Sequence, residues 1–411
     1  MWKLLLKKQW KSALCILLFF GFILFLRTDM EADFEHRYYD AQTEYLAAAA
    51  ALAPDALFEK IDTDCAVAGQ LVSDIQNFKT YEDGLPQTSL DPLLAAAGAE
   101  SYVNYEMVVW REEMLGMPGR FAATVFDDSL MLSQLAARLN NQKHFQANYE
   151  NNLEVLRRAI RRGDEELAGY KAAYNALRRV KTVFPVSDTI FADALLAYFE
   201  KDIFILILIV LCNFGLFSLA AQNKITNAIR VSKMGMQRYA LHQIAAAAVI
   251  TAGFLLLYFA GILVIFSNGN LRAVPWALPI QAVNGYENVV FPLSVGGYFA
   301  VCAGLKTIFL FLLVGVVLFL SLCAKNMVVS AIFALALCGG LIGGARLADG
   351  AFSALLTGGS KPLFVDLPYF CLGNTAVPYA AVYAVVLALA GLLVYSAVVA
   401  LAGPLAKRRV I

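Results

Sequence analysis

Residues Ile203 to Ala221 read IFILILIVLCNFGLFSLAA. These nineteen residues carry no charge. As a helix rising 1.5 Å per residue they cover about 28 Å, close to the roughly 30 Å hydrocarbon core of a bilayer. Similar runs follow at Ile244–Phe266, Thr307–Ala324, Met327–Ala345 and Val377–Ala402. A shorter one, Ser12–Leu26, stands near the start between Lys11 and Arg27. Fifteen residues give only about 23 Å of helix, but Trp10 and the long stems of Lys11 and Arg27 extend the span by snorkelling. The pattern predicts six crossings.

The whole-chain balance agrees. Of 411 residues 60% are apolar and only 16% are charged. A water-soluble globule of this size has too little interior for that much apolar surface. Fibrous, disordered and disulfide-scaffold classes are excluded as well. A net charge of +1 makes no case for nucleic acid. The seven cysteines show no CxxC and no Cys/His cluster, and five lie in or beside apolar runs.

The start of the chain has the basic residues Lys3, Lys7, Lys8 and Lys11 before its apolar run. A cleaved signal peptide also begins this way, but small residues of the A-x-A kind do not follow. An uncleaved signal anchor is the expectation. Orientation follows from lysine and arginine in short loops. Twelve fall on one side: those four, Lys224, Arg230, Lys233 and Arg238, Lys325, and Lys407, Arg408 and Arg409. Three fall on the other, Arg272, Arg346 and Lys361. Both termini are therefore placed in the cytoplasm.

The expected fold class is an all-α polytopic membrane protein. Residues 1–27 make the cytoplasmic N-terminus and first span. Residues 28–201 make a helical extracytoplasmic domain between the first and second spans, and 202–411 carry the other five. Within the latter, 273–303 is interrupted by Pro275, Pro279, Asn284, Glu287, Pro292 and the pair Gly296-Gly297. It reads as a re-entrant or interfacial segment, which is tolerated where protein shields the backbone. In the 28–201 segment, helices are predicted over Asp29–Leu52, Pro54–Tyr81, from Ser89 or Asp91 to Gly116, Asp127–Arg162 and then to about Lys181. Ser187-Asp188 caps a last helix leading into the membrane. Arg157, Arg158, Arg161 and Arg162 sit at helical spacing. They read as a solvated face paired with Glu150, Glu154, Glu165 and Glu166, or as a site for lipid phosphates or an anionic substrate. Tyr170 and Tyr174 read as a packing pair.

Catalytic motifs are missing from the sequence. Gly304-Leu305-Lys306-Thr307 lacks the first glycine at P-loop spacing and the glycine before the lysine, so the chain cannot hydrolyse ATP by a P-loop. HExxH, GxSxG and DxDxDG do not occur, and His36, His144 and His242 stand far apart. No catalytic, cofactor-binding or metal residue is assigned. The centres of the crossings hold no charge; Lys306 and Arg346 are read as snorkelling near span ends. Asn213 is the one possible intramembrane polar site, able to hydrogen-bond between helices. The loop Gln222–Gln243 has Ile225, Ala228 and Ile229 on one helical face. The basic turn Ser232-Lys233-Met234-Gly235-Met236-Gln237-Arg238 follows. That is a plausible docking surface, and equally an ordinary positive-inside loop.

Several of these features resemble the permease subunits of type-2 ABC exporters, in a branch of Gram-positive bacteria with a large outer domain. The similarity rests on Gly235-Met236-Gln237-Arg238 between the second and third crossings, Pro279-Ile280-Gln281 and Pro292-Leu293-Ser294-Val295 after the third, and Val186-Ser187-Asp188 before the second. It covers about half the chain. At the cytoplasmic end of the second crossing this chain has Ala220-Ala221-Gln222, where the family often has an acid. The resemblance implies a multi-pass plasma-membrane subunit of a bacterium, without ATPase motifs or a bound cofactor. ATP and magnesium would sit on a separate ABC ATPase, and a second permease subunit, identical or not, would complete the assembly amid membrane lipids. Lys224, Arg230, Lys233, Gly235 and Arg238 would form the ATPase-coupling loop. Lipid-like, peptide and antibiotic substrates are all compatible. The alternative is a membrane sensor whose outer domain binds a peptide or lipid, although no inner segment is long enough for an output domain.

Overall fold

The structure is a computed structural model that describes residues 21, 39–49, 51–80, 120–163, 166–222, 229, 235–267, 271, 274–324, 326–347, 355–356, 358–366 and 368–408. The first apolar run lies outside these, Gly21 excepted, and so does the helix expected from Ser89 or Asp91. The described residues are mostly helical. In chain order the helices are α1 (Tyr39–Ala48), α2 (Pro54–Thr80), α3 (Arg120–Lys143), α4 (Phe145–Arg162), α5 (Leu167–Leu177), α6 (Ile190–Lys201), α7 (Phe204–Asn213), α8 (Ser218–Gln222), α9 (Gly235–Phe266), α10 (Val295–Cys323), α11 (Met327–Leu347), α12 (Pro362–Val365) and α13 (Tyr379–Arg408). One element corrects the all-α expectation: strands β1 (Tyr369–Leu372) and β2 (Thr375–Pro378) pair antiparallel as a hairpin.

Two compact units divide the chain. One comprises 31–145 with 185–190; the other holds 146–184 and everything from 191 onward.

In the first unit α2 and α3 pack side by side, with α1 against α3. Ala49, Leu57, Phe58, Ile61, Leu135 and Leu139 form its core. The strap 185–190 is tied down by polar bonds. Arg138, 7% exposed, donates from Nε to Asp188 Oδ1 at 2.9 Å and from Nη2 to Oδ2 at 3.1 Å. Its Nη2 also reaches Gln42 Oε1. The Gln142 amide donates to Ser187 O at 2.6 Å and accepts from Ser187 N at 3.1 Å. Asp188 then caps α6 as the sequence predicts, accepting from Ile190 N at 3.0 Å.

The second unit contains five helical spans long and apolar enough to cross a membrane: Phe204–Gln222, Gly235–Phe266, Val295–Cys323, Met327–Leu347 and Tyr379–Leu405. This is a multi-pass membrane protein by length and composition. Helix α10 is central, touching α7, α9, α11 and α13. Tyr395 of α13 donates to Phe311 O at 2.7 Å. Helices α11 and α13 leave broad apolar faces uncovered, with Ile332 and Leu335 on one and Leu389 and Leu393 on the other. A bilayer covers such faces at no cost.

Helix α10 begins at Val295, so 295–303 are its first turns and the interrupted segment ends at Ser294, whose side chain accepts from Gly297 N at 3.2 Å. Before it, 274–294 folds on itself without crossing the bundle as a helix. Ile280 N donates to Leu293 O at 3.0 Å, and Val295 N to Leu278 O at 2.8 Å. The buried Gln281 amide donates to Val289 O and Phe291 O, both at 2.8 Å. Helix α4 reaches this loop through Asn152, which donates to Glu287 O at 3.1 Å.

Candidate functional site

Three polar groupings are set into the apolar bundle. The first lies where α6 passes into the span α7. Lys306 of α10 is 1% exposed. It does not snorkel. Its Nζ donates to Phe199 O at 2.8 Å and Asp202 O at 3.2 Å, and lies 4.6 Å from the centre of the Phe199 ring. These carbonyls close α6, where a cation meets the negative end of the helix dipole. Asp202 caps the next helix, accepting from Phe204 N at 2.8 Å, and also accepts from Tyr258 of α9. Glu200 accepts from Ser360 N at 2.8 Å and Lys361 N at 3.0 Å. Burial, with the Asp202 charge adding, pushes the Tyr198 phenol well above its ordinary range. Two carboxylates and a lysine thus lock this joint to α9, α10 and the segment before α12. Aromatic rings surround it: Phe199 meets Phe299 at 5.2 Å, Tyr286 meets Tyr298 at 5.2 Å, and Lys361 Nζ sits 4.2 Å from the Tyr286 ring.

The second grouping is a break inside the span Phe204–Gln222. Helix α7 stops at Asn213, 214–217 form a turn, and α8 resumes at Ser218. Asn213 is fully buried; its Nδ2 donates to Ile209 O at 2.8 Å in its own helix and lies 3.4 Å from Thr251 Oγ1 of α9. Its Oδ1 has no partner among the described residues. In hydrocarbon every freed backbone group must find a partner within the protein. Ser321 Oγ accepts from Phe217 N and Ser218 N, both at 3.1 Å, and Ser330 Oγ donates to Phe214 O. The sequence pointed to Asn213 but not to these serines. A buried serine inside an apolar run has no distinctive neighbours in sequence; the signal available was Asn-Phe-Gly at 213–215 within the span.

The third is the loop end of the bundle. Lys224, Arg230 and Lys233, with Ile225 and Ala228, lie outside the described residues. Gly235 opens α9 with φ of 65°, the left-handed region that glycine enters without penalty. Arg238 follows in the first turn and is exposed, as are Gln237, Leu241 and His242, while Met236, Tyr239, Ala240 and Gln243 face inward. A cation in the first turn opposes the helix dipole. Arg238 makes no hydrogen bond or ion pair among the described residues. Nothing in its own helix explains its position.

Among the described residues the arginine run of α4 is paired through Arg157 and Arg158, and Glu165, one of the expected partners, lies outside them. Glu154 accepts from Arg157 and Arg158, each at 3.2 Å. Glu150 instead accepts from Gln146. Tyr174 stacks with Arg157 and Arg178, whose guanidinium carbons lie 5.9 and 5.8 Å from its ring centre. Among the described residues no group of His, Cys, Asp and Glu could hold a metal ion. No protein-family model, no curated protein and no solved structure matches this chain.

Proposed function

We propose that this chain is the membrane-spanning subunit of an ABC-type exporter, moving a lipid-like, peptide or antibiotic substrate outward on energy released by a separate ATPase. The observation that carries the reading is the start of α9. A left-handed Gly235 sets the helix off, and one turn later Arg238 stands exposed with no hydrogen bond or ion pair among the described residues. A planar guanidinium with five donors suits a carboxylate on another protein. The chain has no P-loop of its own, and the reading therefore assigns ATP hydrolysis to a partner. The resemblance of Gly235-Met236-Gln237-Arg238 to exporter coupling segments supplies that partner's class.

In this reading the loop end faces the cytoplasm, two permease subunits face each other, and two ATPase subunits bind their loops. ATP-driven closure rocks the spans, and the break at 214–217, framed by Ser321 and Ser330, is where α7 and α8 pivot. The α6 end faces outward together with residues 28–201. The test is purification of the full-length chain from its native membrane in mild detergent, followed by mass spectrometry. A P-loop ATPase recovered in stoichiometric amount supports the proposal; recovery of the chain with no such ATPase, under conditions that preserve its fold, overturns it.

A further inference from the structure

The β1–β2 hairpin has unusual faces. Its register pairs Phe370 with Val377 and Leu372 with Thr375, which puts these four on one side. Tyr369, Cys371, Ala376 and Pro378 occupy the other. Helix α5 covers that second side closely. A Cβ added at Gly169 would lie 2.9 Å from Cys371 Sγ and 3.8 Å from Tyr369 Cβ, so a larger residue there would push the two elements apart. The first side is uncovered. Phe370 is 37% exposed, Leu372 66% and Val377 39%. A sheet with one face in water normally alternates apolar inward and polar outward. Here three of four outward residues are apolar.

What covers them follows from where the chain goes next. Strand β2 ends at Pro378 and the spanning helix α13 begins at Tyr379, with no linker. Tyr379 N donates to Pro368 O at 3.2 Å, and the Tyr379 ring stands edge-on to Phe370 at 5.6 Å. A hairpin fastened to the first residue of a span lies at the membrane surface. Aromatic side chains concentrate at that level. Arg178, Arg179 and Lys181 follow α5 and are exposed. Burial pushes the Tyr369 phenol up, and the nearby Arg179 charge works against it. These cations lie on the α5 side, with Arg179 near Tyr369, and charge behind an apolar face matches lipid headgroups above their acyl chains.

We infer that the hairpin Tyr369–Pro378 is an interfacial anchor, with Phe370, Leu372 and Val377 sunk among the lipids of the leaflet at the α6 end. The anchor requires no ATPase and stands whether or not the transport reading does. Because α5 packs on its back, the anchor also holds α4 and α5 close to the lipid surface.

The test uses the full chain in vesicles of phosphatidylcholine with a minority of phosphatidylglycerol. A photo-crosslinking phenylalanine analogue is placed at Leu372, with Asn374 in the turn and Leu389 on the exposed face of α13 as controls. Mass spectrometry should find lipid adducts at 372 and 389, and at least fivefold fewer at 374. Adducts of 372 with a peptide, from a second copy or a co-purified protein, would overturn the inference, as would a yield no higher than at 374. A second measurement needs no crosslinking. A nitroxide at 372 should collide more with oxygen than with a soluble nickel chelate, and one at 374 the reverse. Nickel reaching 372 as readily as 374 would sink the anchor.

Discussion

The two ends of the membrane bundle treat charge in opposite ways. At the α6 end Lys306 and Asp202 are buried, and together with Glu200 they are held by backbone groups or a tyrosine. At the loop end Arg238 is exposed and unpaired among the described residues. A buried ion must be satisfied internally, or it costs several kcal/mol. A charge already satisfied has little left to offer a partner. The first end is thus fastened internally, while the second leaves a charge exposed, the feature on which the proposed docking rests. Charged side chains fasten a joint in one place and stand open to solvent in the other.

The largest effect should come from the joint. Lys306→Met keeps the stem but leaves Phe199 O and Asp202 O without their donor. A loss of about 3 kcal/mol is expected, read as a lowered midpoint of thermal unfolding in detergent. An unchanged midpoint would mean the joint is not held this way. Asp202→Ala removes the cap on Phe204 N and the acceptor for Tyr258, for about 2 kcal/mol. Paired with Tyr258→Phe it should cost less than the sum of the two single changes, since both act on one bond. Strict additivity would separate Tyr258 from the joint.

The break in the second span should respond more weakly. Ser321→Ala leaves two buried N–H groups without an acceptor, at about 1–2 kcal/mol. Hydrogen exchange should rise locally at 217–218; uniform protection there would show the turn closing on another acceptor.

Much of this was legible in sequence, and the failures have physical causes. Five long apolar runs became helical segments long and apolar enough to cross a membrane, as expected where hydrocarbon leaves a chain little alternative. Asp188 was readable as a cap because its acceptor serves a donor two residues away. Lys306 was misread as a snorkelling residue because its carbonyl partners lie more than a hundred residues earlier in the chain. The start of α10 was misplaced because Gly296-Gly297 reads as a breaker. Glycine costs a helix only about 1 kcal/mol per residue, and packing of the first turn outweighs it. The helix expected over Asp127–Arg162 begins earlier and is interrupted at His144, where nothing local signals a turn. The hairpin escaped notice because apolar residues on both faces erase the alternation that marks a strand.

In the first unit a smaller, pH-dependent effect is expected. Burial opposes ionisation of Asp64, but hydrogen bonds from Lys60 and Tyr45 outweigh it, and the carboxyl titrates below its usual value. A depressed folded value means the contribution is complete above the unfolded pKa near 3.9 and is lost as pH falls through the folded one. Asp64 is about one-third exposed, so the contribution is screened and well under 1 kcal/mol. Asp64→Asn should therefore flatten acid unfolding only slightly; a shift of a whole pH unit would show that the ion pair with Lys60 matters far more than its exposure allows.

Arg238→Glu should disturb folding least of all, within about 0.5 kcal/mol, because the side chain is exposed and makes no hydrogen bond or ion pair among the described residues. That makes it the direct measurement of the central claim. The full-length parent and the Arg238→Glu variant are purified at equal membrane abundance, and the recovered P-loop ATPase and its ATP hydrolysis are compared. Loss of a buried charge partner is worth about 2–5 kcal/mol of binding, so the variant should retain less than a tenth of the bound ATPase and of its activity. Equal recovery and equal hydrolysis would contradict the account, and leave Arg238 as no more than an exposed positive charge at the start of α9.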